Sequence, residues 1–145
     1  MFTPEERARL RSDLLERAAS DHRISGAAIT GSGAAGREDC WSDIDLAFGV
    51  AAGADLPAVL ADWTKQMYDG HGAVHHLDVR AGSWLYRVFL LNSSLQVDLA
   101  FVPASEFRLL RKSYMQHSYT SLLRRSPWYG LRKWPFASGL FSPHY

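Results

Sequence analysis

The chain has 145 residues, 47% of them apolar and 21% charged, the proportions of one ordinary globular domain and not of a disordered tract. A single cysteine, Cys40, excludes an intrachain disulfide framework and suits a reducing compartment. No run of eighteen apolar residues occurs and the first residues lack a basic-then-apolar leader, so a soluble cytoplasmic protein is expected.

The net charge of +1 hides a division: through Glu106, nine Lys/Arg stand against all fifteen acids, leaving −6, while residues 107–145 hold seven Lys/Arg and no acid. That balance predicts an acidic body followed by a basic, aromatic-rich tail, either docked back on the body or offered to a phosphate-bearing partner.

In chain order, Thr3-Pro4-Glu5-Glu6 reads as a helix start with a capping box, and Leu10, Leu14, Leu15 and Ala18 continue it as an apolar stripe. Ser25-Gly26 reads as a break before a short strand over 27–30. Gly31-Ser32-Gly33 then forms a glycine turn, followed by a short helix over 34–41 whose first N–H groups favour an anion. The next strand carries Asp43 and Asp45 on one face with Ala47 and Gly49, and Ile44, Leu46, Phe48 and Val50 on the other. Residues 51–54 are a loop, and Asp55 is expected to cap a helix striped by Leu56, Val59, Leu60, Trp63 and Met67 that ends at residues 69–72. A strand over 73–79, a turn at 81–83, and a hairpin of strands 84–91 and 95–102 follow. Pro103 is expected to stop the last strand and a helix to run over 104–112. The predicted fold is therefore α/β in the α+β sense, a mixed twisted sheet of four or five strands with helices mainly on one face.

Neighbouring carboxylates repel, and a divalent cation is the usual remedy. Asp98, in the alternating stretch Leu95–Val102, makes a third acid on the same plan if its strand lies beside that of Asp43 and Asp45; three converging carboxylates are the ligand set of a two-metal site. Asp78 is the competing third acid, with Arg80 expected to neutralise it on the same strand face. His71, His75 and His76 match no usual zinc spacing. Ser42 is read as a turn hydroxyl or as a donor to phosphate, and Arg37 as a phosphate contact or a solvated helix residue.

Gly31-Ser32, ten residues, Asp43-Ile44-Asp45-Leu46 and a later strand aspartate, Asp98, together resemble the nucleotidyltransferase superfamily related to DNA polymerase beta, over residues 24–102. The chain is most similar to the small bacterial minimal and antibiotic-type members. The resemblance implies a nucleotidyltransferase palm over 1–106; the basic aromatic tail over 107–145 is where the chain departs from the family, and it is expected either to belong to the same domain or to be poorly ordered. It implies phosphate contacts from Gly31 and Ser32, metal ligation by Asp43, Asp45 and Asp98, and orientation of the acceptor hydroxyl by Asp98. Where many small members follow Gly-Ser with a basic or aromatic residue this chain has Gly33, with Arg37 as the alternative source of charge. Two Mg²⁺ ions, or Mn²⁺, and a nucleoside triphosphate co-substrate follow from the same resemblance. The acceptor is a small molecule, a protein hydroxyl, or a tRNA reached through the basic tail, with a homodimer as one option. The alternative function is a partner-binding module on the same fold, of toxin–antitoxin type, without turnover.

Overall fold

A computed structural model describes residues 1–31 and 39–109 and, as backbone, 140–141. Helix α1 (Pro4–Ser20) begins as its sequence dictates: the Thr3 hydroxyl accepts from the Glu6 amide, the Glu6 carboxylate accepts from the Thr3 amide, and Pro4 occupies the first turn. Strand β1 (Ile24–Ile29) follows, then β2 (Ile44–Val50), α2 (Leu56–His71), β3 (Ala73–Ala81), β4 (Trp84–Leu91), β5 (Gln96–Pro103) and the two-residue β6 (Leu140–Phe141). Residues 104–109 are helical.

These strands form one mixed sheet in the order β3-β4-β5-β2-β1-β6. The β2–β5 pair is parallel; every other neighbouring pair is antiparallel. The expected five strands are present, and Leu140–Phe141 adds a short sixth along β1.

Both long helices lie on one face. Leu14, Leu15 and Ala18 of α1 and Val59, Trp63 and Met67 of α2 pack with Ile44, Leu46 and Phe48 of β2 and Val97, Leu99 and Phe101 of β5. Trp63 is fully buried; its ring centroid lies 4.7 Å from that of Phe48, and its indole N–H donates to the Asp21 carboxylate at 3.1 Å. Each such large side chain contributes about 1.5–3 kcal/mol on burial, and these two fasten α2 to the middle of the sheet.

Several local expectations shift. β1 starts at Ile24, earlier than Ala27, because Ser25-Gly26 is absorbed by a register shift between Ile24 and Gly26 and does not break the strand. Asp55 occupies the N-cap position of α2, but its side chain makes no capping hydrogen bond. The helix stops at Gly72, whose φ of +73° suits a residue without a Cβ. β5 runs through Pro103 instead of stopping before it. The glycine-turn residues 32–38 and the tail residues 110–139 lie outside the described residues, as do the expectations placed on them. No described helix is long and apolar enough to cross a membrane.

Candidate active site

Because β2 and β5 are parallel and in register, Asp45 lies directly opposite Asp98, just as Leu46 lies opposite Leu99 in the core. Residues paired this way share a face, and neighbouring strands are only about 4.8 Å apart. The two carboxylates therefore stand side by side on the sheet face turned away from α1 and α2. Farther along that face Ala47 pairs with Ala100 and Gly49 with Val102, and the helical segment 104–109 lays Phe107 over them. A Cβ at Gly49 would come within 2.9 Å of Phe107 Cγ, so glycine is what lets the ring close this end. The other end of the face holds the acids. Toward the outer strands it continues through Val88, opposite Asp98, to the exposed side chains of Leu77, Val79 and Leu90.

The electrostatics report this crowding. Burial first, then the charge of Asp98 and a hydrogen bond with it, and then the charge of Asp43, push the Asp45 carboxyl up to about 6, with Arg11 opposing. Asp43, immediately before β2, is also raised, by burial and then by Asp98. Gln96 donates to Asp98 Oδ1 at 2.9 Å, steadying that side chain from the same strand face.

Gly31 leans on this group. Its φ is +63°, and a Cβ there would sit 2.9 Å from Asp45 Cγ and closer still to Oδ2. The Thr30 amide donates to the Asp45 carbonyl at 2.9 Å, so the end of β1 and the acidic strand are tied where the chain turns. Only glycine permits both the backbone angle and the approach.

On the other flank, residues 39–42 form a tight turn. The Trp41 amide and the Ser42 hydroxyl donate to Asp39 Oδ1, and the Asp39 amide donates back to the Ser42 oxygen. The Ser42 hydroxyl is thus engaged within the turn. Arg7, only 4% exposed, donates to the Asp39 carbonyl at 2.6 Å and to the Ser42 carbonyl at 3.1 Å.

Of the residues anticipated from sequence, Asp43, Asp45 and Asp98 come together and Gly31 lies against Asp45; Ser32 and Arg37 fall outside the described residues. Asp78 is elsewhere. Its register partner Arg87 faces the helices, where it donates to Asp78 at 2.7 and 2.8 Å and to Thr64 of α2 at 2.8 Å. Arg87, not Arg80, is its ion-pair partner, because a cross-strand neighbour can offer two parallel N–H bonds to one carboxylate. His76 shares a hydrogen bond with Tyr68. Sequence reasoning missed Arg7 and Arg11. The signal was present: positions 7, 11, 14, 15 and 18 lie on one helical stripe, so both arginines extend the buried face of α1.

The donor chemistry of the cluster, three carboxylates without thiol or imidazole, suits a hard divalent cation such as Mg²⁺. Among the described residues no group of three His, Cys, Asp or Glu side chains is arranged to enclose an ion. The acids supply suitable oxygens without forming a ready-made cage.

A mixed sheet with paired aspartates on adjacent parallel strands, on the face away from its helices and with Gly31 against one of them, defines a class: the chain has the nucleotidyltransferase fold. Among solved structures it is similar to an aminoglycoside 6-adenyltransferase from Bacillus subtilis, at 15% identity and a TM-score of 0.53 over 81% of this chain and 40% of that one. It is also similar to Cid1, an RNA terminal uridylyl transferase, at 17% identity and a TM-score of 0.50 over 79% of this chain and 35% of that one. The chain thus spans two fifths or less of the length of these structures. No protein-family model and no curated protein matches the sequence.

Proposed function

We propose that the chain transfers a nucleoside monophosphate from a nucleoside triphosphate to an acceptor hydroxyl, with release of pyrophosphate. The observation that carries this reading is the parallel register that sets Asp45 beside Asp98, with Asp43 close enough to raise the pKa of Asp45. Asp43, Asp45 and Asp98 would hold Mg²⁺, which when bound supplies neutralising charge for the phosphates.

The chain's own residues do the rest. Asp98 accepts a hydrogen bond from the acceptor hydroxyl and takes its proton as the new bond to the α-phosphorus forms. The bond from that phosphorus to the bridging oxygen breaks, and the pair of electrons leaves with pyrophosphate. Gly31, Ser32 and Arg37 contact the phosphates, with backbone N–H groups and a guanidinium as donors. Positioning and electrostatics dominate chemistry of this kind. The acceptor is a small molecule, a protein hydroxyl or a tRNA end. We place the palm at residues 1–106 and the remainder in the same domain; buried Phe107 and the pairing of Leu140–Phe141 with β1 support that.

The test incubates the protein with each labelled nucleoside triphosphate, Mg²⁺ or Mn²⁺ and a panel of acceptors, beside the Asp43→Asn, Asp45→Asn double variant. Pyrophosphate release by the wild type alone is expected. Release undiminished in the double variant would refute the site, and nucleotide binding without any release would identify a partner-binding module.

A further inference from the structure

Arg7 sits in the buried stripe of α1, a place where a guanidinium is costly unless its N–H groups are used. One of them, the terminal nitrogen Nη1, donates to two carbonyls three residues apart, those of Asp39 and Ser42, which bracket the internally bonded 39–42 turn. Asp43 comes next. It precedes β2, and the β2–β5 ladder begins only at Ile44 opposite Val97. Asp45 is consequently located by the sheet, whereas Asp43 is located by the turn.

We propose that Arg7 is the positioning residue for Asp43: by clamping the 39–42 turn to α1, it sets where the Asp43 carboxylate stands relative to Asp45 and Asp98. Its consequence for catalysis rests on the nucleotidyl-transfer reading; the clamp itself does not. A planar guanidinium fixes its one terminal nitrogen, Nη1, between both carbonyls, which a lysine ammonium on a flexible stem does less well.

The experiment compares wild type, Arg7→Met and Arg7→Lys in the full chain by amide hydrogen exchange and by single-turnover transfer. In Arg7→Met, exchange at Trp41, Ser42 and Asp43 should quicken at least about tenfold while the Leu46–Phe48 amides stay as in wild type. Transfer should fall roughly 10–100-fold in kcat, with KM for the triphosphate within about threefold and Arg7→Lys intermediate. A folded Arg7→Met protein with unchanged exchange at residues 41–43, or with wild-type kcat, overturns the proposal. If Arg7→Met does not fold, Arg7→Gln carries the test, since its amide is polar enough for the buried stripe but too short to reach both carbonyls. It should quicken the same amides to a smaller degree, and unchanged exchange there counts against the clamp. The exchange response in Arg7→Met beside a wild type that transfers nothing would sink the nucleotidyl-transfer reading and leave the clamp standing.

Discussion

Replacing Gly31 by alanine is expected to spare the fold and disable the site. Two effects add. At a φ of +63° an L-residue costs roughly 1–2 kcal/mol, which for a domain of this size lowers Tm by about 2–4 °C per kcal/mol. The local effect is larger. The new Cβ would lie 2.9 Å from Asp45 Cγ, against an ordinary contact of 3.4–4 Å, and nearer still to Oδ2. The Asp45 backbone cannot retreat, because the Thr30 amide and the β2–β5 ladder hold it. The carboxylate must therefore swing, by on the order of 1 Å, a misplacement that costs about 100-fold in rate. The assay is pyrophosphate release under single-turnover conditions, with thermal melts alongside. Gly53→Ala is the control, since a Cβ there meets nothing within 4 Å. A Gly31→Ala protein within threefold of wild type would refute the argument that this glycine exists to admit the Asp45 carboxylate.

The Asp45 carboxyl also predicts a pH signature. Its value of about 6 in the fold exceeds the ordinary 3.8, so between those values the native state binds more protons than the unfolded chain. Its contribution to stability is full below 3.8 and is lost as pH rises through 6. Asp45→Asn, which escapes that loss, should gain in Tm over wild type between pH 4 and pH 7 without metal, and Mg²⁺ should narrow the gap by stabilising wild type alone. A Tm difference independent of pH would contradict the crowding of the three acids. Asp78→Asn should cost about 1 kcal/mol in a denaturant melt, through the weakened Arg87 pair, and leave transfer unchanged, whereas Asp98→Asn should abolish it. Loss of transfer in Asp78→Asn would return that residue to candidacy.

The sequence by itself determined the elements whose causes are local. The capping box at Thr3 and Glu6 is satisfied within one helical turn, and the alternation around Asp45 and Asp98 separates apolar from acidic faces whatever each strand pairs with. What alternation cannot say is which strands are neighbours, how far each slides, or which faces coincide. Those are settled by contacts between residues far apart in the chain: Phe48 against Trp63 and Phe101, and β2 alongside β5 across the whole β3–β4 hairpin. Only tertiary structure therefore decided that Asp45 stands opposite Asp98, that Asp78 turns to the helices and binds Arg87, and that Ser25-Gly26 is a register shift inside a strand. Arg7 was hidden for the same reason. Its helical position was readable, but its use depends on two carbonyls more than thirty residues away, and a hydrogen bond over that span leaves no local pattern.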